Sequence, residues 1–179
     1  MNPKVAHFPG RVWFVAAIVA LGWTGGCSPE AQLDDLRSFQ QSGRFAETIE
    51  PLRDRLDEAP DDPELNHLYG LALLQTGQAS LAIWPLRKAA QDPDRAVEDG
   101  ILLVQAILSG GSAEDGALAA SQVLELAPDR IDVIRLLIAA RLKARQNEEV
   151  LADVERLLEL KPGDANALVS RLVALLNLD

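Results

Sequence analysis

Few residues in this 179-residue chain could do chemistry, and their spacing argues against catalysis. After Cys27, the sole cysteine, there is one histidine, His67. A zinc site needs three or four N, S or O ligands, and a single His with no His or Cys beside it cannot start one. Carboxylates are paired at Asp34-Asp35, Asp61-Asp62 and Glu148-Glu149. Adjacent residues on a helix point in different directions, so these pairs do not make an acid–base dyad. Near helix starts they serve better as caps and dipole partners. Gly110-Gly111-Ser112 lacks the lysine of a phosphate loop, and Ser112-Ala113-Glu114-Asp115 reads as a helix cap. Nothing orders a Ser-His-Asp set. The expectation is a chain that is not an enzyme, with no cofactor, no metal and no small-molecule substrate.

The elements that carry these residues follow a beat. Gly43, Gly77 and Gly111 fall 34 residues apart, and Pro60, Pro93, Pro128 and Pro162 fall 33, 35 and 34 apart. Two independent breakers on one period mean one repeated unit. A pair of helices of that length cannot bury its apolar face alone and has to stack on its neighbours. Four units fit, 29–62, 63–96, 97–130 and 131–164, each helix, turn, helix, turn, with a closing helix over 165–179. In the second, Leu65, Tyr69, Ala72 and Leu73 recur at helical spacing before Thr76-Gly77-Gln78. Asp62 before Pro63 is an N-cap followed by proline where its missing N–H costs nothing, and Asp164 offers another cap. Pro51 and Pro85 share one phase, which implies curvature, a late helix start, or an inherited duplication. The fourth unit carries Arg145 where the others have glycine and is expected to be the most distorted. The last helix is apolar around much of its circumference, so its far side meets a partner or this is the front of a longer array.

On these residues the chain resembles the tetratricopeptide repeat family. The second unit supplies Tyr69, Gly70, Ala82, Leu86, Ala89 and Pro93 at the family's positions, and the third Leu103, Gly116, Ala120, Val123 and Pro128. The fourth has Leu137, Val154, Leu157 and Pro162, with Ile138 and Val150 at the two small positions. The resemblance implies an all-α, right-handed superhelical solenoid. It also implies a concave groove lined by the first helix of each unit. In that groove it puts Arg37 and Gln41 from the first unit, and His67, Leu71, Leu74 and Gln75 from the second. The third contributes Ile101, Gln105 and Leu108, and the fourth Asp132, Arg135, Ala139, Leu142 and Lys143. Such a surface suits an extended or helical protein segment. The Lys/Asn/Arg set with which co-chaperone members clamp a C-terminal carboxylate is missing.

Residues 1–26 read as a targeting segment. Lys4 and Arg11 precede the apolar run Val12–Trp23, and small residues lead to Cys27. The run is shorter than the roughly 20 residues of a membrane span. This resembles a bacterial lipoprotein signal, which implies that Cys27 is acylated and becomes the first mature residue, anchoring the protein to a membrane. An uncleaved signal anchor and ordinary cleavage leaving a free thiol are the other readings. Ser28 resembles the outer-membrane sorting choice, so the expected place is the periplasmic face of a bacterial envelope. All 27 acidic residues and 15 of the 17 basic ones follow Cys27, a balance near −12. Nucleic acid, which needs clustered Lys and Arg, is therefore not an expected partner.

The combined expectation is a lipid-anchored scaffold or adaptor that binds a protein segment in its groove, in the assembly of envelope, secretion, pilus or exopolysaccharide machinery. A signal-anchored protein beside a translocon or chaperone, and the N-terminal array of a larger enzyme, are the alternatives.

Overall fold

The computed structural model describes residues 29–179, so the expectations for residues 1–26 and Cys27 lie outside the described residues. The order is α1 (Pro29–Gln41), a 3-10 turn (Phe45–Thr48), α2 (Ile49–Glu58), α3 (Pro63–Gln75), α4 (Ala79–Ala89), α5 (Ala96–Gly110), α6 (Ala113–Leu126), α7 (Ile131–Lys143), α8 (Asn147–Leu160) and α9 (Ala165–Leu178). Among the described residues there are no strands, and no helix is long and apolar enough to cross a membrane. Each helix packs on the next, and α5–α7 and α7–α9 also touch, so odd-numbered helices form one layer and even-numbered helices the other. The fold is an all-α solenoid, with its apolar core a strip between the layers. In the C-terminal half that strip runs without a break from Ile101 to Ala174.

Local chemistry sets the helix starts. Asp62 accepts the Leu65 N–H at 2.9 Å, Ser112 that of Asp115 at 3.0 Å, and Asp164 that of Ala167 at 3.1 Å. Each satisfies one of the N–H groups a helix N-terminus leaves unpaired. The two prolines at one phase end differently. Pro51 is the third residue of α2, so the first unit has a late helix start after its 3-10 turn. Pro85 lies well inside α4 and is buried there.

Close packing occurs where small residues were expected. A Cβ on Gly70 would lie 2.6 Å from Leu86 Cγ, and one on Gly116 2.7 Å from Leu108 Cδ2. Only glycine lets these helix pairs approach so far. The expected distortion of the fourth unit is half right. Ile138 and Val150 are buried, and α7 and α8 make fewer close approaches than α3 and α4. Its turn, however, is regular: Arg145 takes φ +60°, the left-handed conformation that Gly43 and Gly77 adopt at +77° and +78°. The irregular turn is the third. There α5 runs on to Gly110, and Gly111 is extended at φ −127°, ψ −156°.

Candidate functional site

The odd-numbered helices carry the candidate groove, and much of their polar surface is bound up between units. Arg37 Nε donates to Glu64 Oε1 at 2.8 Å, tying α1 to α3, and a second nitrogen of Arg37 reaches Asp34 at 2.5 Å. His67 Nδ1 lies 2.5 Å from Asp99 Oδ1, tying α3 to α5. Asp99 is fully buried and also accepts from Arg95 Nε at 3.2 Å. Arg130 bridges Glu98 at 2.8 Å and Asp132 at 2.9 Å. Arg135 ion-pairs with buried Asp164, tying α7 to α9. Four of these contacts, Arg37–Glu64, His67–Asp99, Glu98–Arg130 and Arg135–Asp164, join residues about 30 positions apart, one unit along, so they brace the spacing of the array.

The protonation of Asp164 follows from this geometry. The Arg135 guanidinium, helped by the Ala167 N–H, lowers its carboxyl to about 2. Asp153, on α8, behaves oppositely. Burial raises it, against the pull of Arg141 2.6 Å away.

The expected groove residues separate into three kinds. Gln75, Gln105 and Gln41 are exposed, and Leu71 and Leu74 are half-buried on the same layer. Arg37 and His67 are engaged with the neighbouring unit. Ile101 corrects the expectation: it is 7% exposed and sits in the core with Val104 and Ile107. Its spacing from these two, three and six residues on, puts it on their helical stripe rather than on the groove side. Gln40 on α1, beside Gln41, is internal, its Nε2 donating to the Leu68 carbonyl at 2.8 Å and to Thr48 Oγ1 at 3.1 Å. Leu108 is half-buried against Gly116, and so supports the α5–α6 contact.

A formed concavity lies further along the layer, between α7 and α9. It encloses about 280 Å³, with Arg135, Ala139 and Leu142 on one wall, Asn166, Val169 and Ser170 on the other, and Ile138 and Leu157 beneath. The α7 wall is made of the fourth-unit members of the expected set. The α9 wall was missed because α9 was read as a closing helix, although Asn166 and Val169 recur on the same beat. Arg135 carries an unusual feature here: its Nε is buried and has no hydrogen-bond partner. Such a donor is costly to leave unpaired. The site therefore combines an apolar floor with the partly exposed side chain of Arg135, which is paired with Asp164, at its wall. Among the described residues no group of His, Cys, Asp and Glu could hold a metal ion.

No family model matches the sequence, and no curated protein matches it. Its fold is similar to that in the crystal structure of MamA protein, with 19% identity over 81% of this chain and 79% of that one and a TM-score of 0.73. The likeness is one of fold: a tetratricopeptide-like helical solenoid.

Proposed function

We propose that this chain is a non-catalytic scaffold that seats a segment of another protein along its concave layer, with the strongest contact between α7 and α9. The observation that carries this reading is the 280 Å³ groove with its apolar floor and the partly exposed Arg135 guanidinium at its wall. An apolar side chain fills the floor, and a neighbouring backbone carbonyl or carboxylate accepts from Arg135. That is the chemistry of a short peptide segment held at one anchor. Acyl chains on Cys27 hold the protein at the membrane, on the periplasmic face of a bacterial envelope, where it brings its partner to an assembling machine. The support for this part is the charge and apolar pattern of residues 1–26 and the small residues before Cys27.

The test places a photo-crosslinking amino acid at position 139 of the full chain in native membranes and sequences the captured peptide. One recurring segment with an apolar anchor is expected, and it is lost in Ala139→Glu with Val169→Glu, both exposed positions that leave the core alone. Capture that survives the double variant, or no recurring segment, overturns the groove reading. Metabolic labelling with a fatty-acid analogue checks the anchor: label is expected on the wild type and absent from Cys27→Ala.

A further inference from the structure

The groove between α7 and α9 differs in charge from the rest of its layer, and the difference bears on what kind of segment it takes. α1, α3 and α5 together carry six acidic residues and one basic residue. α7 and α9 carry four basic residues and one acidic residue, Asp132, which Arg130 holds at 2.9 Å. Among the described residues no carboxylate lines the groove. Its polar lining is Arg135, Asn166 and Ser170, all able to donate a hydrogen bond. Buried Asp164 does not cancel the positive charge, because it is shared between Arg135 and Lys161, the latter 3.4 Å away. Lys143, two turns beyond Arg135 on the concave side of α7, holds the Leu108 carbonyl at 3.1 Å rather than a carboxylate. A surplus of positive charge therefore surrounds the apolar floor, in a chain whose net charge is −10.

We propose that the segment seated in this groove carries an acidic side chain beside its apolar anchor. The inference rests on the reading of the groove as a protein-binding site. The anchor covers Ile138 and Leu157, and the carboxylate meets the Arg135 guanidinium, whose side chain is 35% exposed at the wall. Hydrogen bonds between ionised groups are about twice as strong as neutral ones, so this contact fixes the register of the segment. A side-chain carboxylate suits the site better than a chain terminus. Terminal carboxylates are captured by clustered backbone N–H groups, and the Ala167 N–H at this groove is already taken by Asp164 at 3.1 Å. The acidic helices α1, α3 and α5 repel the acidic part of such a segment and leave it one end of the layer, which is specificity by repulsion as well as attraction.

The experiment selects binders to the full-length chain in detergent from a random twelve-residue peptide library. The library is displayed once with flanking sequence on both sides and once with a free C-terminus. Flanked peptides are expected in which Asp or Glu lies within one or two helical turns of Leu, Ile, Met or Phe. Fluorescence anisotropy with a selected synthetic peptide gives its affinity. Exchanging its acid for the amide weakens binding about tenfold, Ser170→Glu does the same, and Ser170→Lys strengthens it about tenfold. Position 170 is partly exposed, and two changes of similar size with opposite effects are not produced by a folding defect. Selected peptides without an acid, equal effects of the two variants at 170, or binding that needs a free C-terminus overturns the proposal. Where such peptides are still lost in Ala139→Glu with Val169→Glu, the groove reading stands and only this inference falls. Selection of no peptide, or of peptides indifferent to that double variant, overturns both.

Discussion

The second and fourth helix pairs keep the same period and close it in different ways. In α3–α4, Gly70 and Ala82 let the helices meet so tightly that a Cβ on Gly70 would strike Leu86. In α7–α8, Ile138 and Val150 hold the corresponding places, both buried, and the helices stand further apart. The 280 Å³ groove lies beside the looser pair. The repeat period constrains where helices begin and end. It leaves their separation to side-chain volume.

The comparison breaks most directly at Gly70. Gly70→Val forces α3 and α4 apart and is expected to cost about 1–3 kcal/mol in urea unfolding. The matching change in the loose pair, Ile138→Val, loses one methylene and is expected to cost about 0.5–1.5 kcal/mol. If Gly70→Val unfolds at the same urea concentration as the wild type, the second pair is not closer than the fourth.

The turns sharpen the comparison on a smaller scale. Arg145 holds a left-handed conformation at φ +60° that a side chain disfavours by roughly 1 kcal/mol. Arg145→Gly is expected to raise the melting temperature by a few degrees for a domain of this size. A lowered melting temperature would mean that the arginine side chain holds the fourth turn by contacts that outweigh its backbone strain.

The smallest effect is one of pH, confined to the C-terminal end. Asp164 titrates at about 2 in the folded protein against an ordinary 3.8, so its pairing stabilises fully above the ordinary value and is lost as pH falls toward 2. Asp153 is raised instead, so acidification relieves rather than removes a favourable charge there. Hydrogen exchange at α9 amides is expected to accelerate between pH 4 and pH 2 while α3 and α4 stay protected. Arg135→Gln removes that step. Equal acceleration in α3 would place the acid sensitivity elsewhere.

Much of this was legible in the chain. Breakers at a fixed interval announced the solenoid. Asp62, Ser112 and Asp164 announced their caps, because a cap acts within three residues of its helix and is visible locally. Gly70 and Ala82 announced the tight pair. The ion pairs that space the units were not legible: His67 and Asp99 are 32 residues apart, and no local pattern marks one as the partner of the other. The end of α5 also escaped. α5 runs through Gly110, which leaves Gly111 outside the left-handed region, and Ile101 is buried on the Val104–Ile107 stripe.

The sequence by itself determined the period, the all-α class and most helix starts, since these follow from breakers, caps and apolar spacing that act over a few residues. Only the tertiary structure decided which faces are occupied. Whether a leucine on α9 is core or open surface, and whether an arginine on α7 is paired or has a nitrogen to spare, depends on the distance between helices. That distance is set by the summed volumes of side chains brought together from different units.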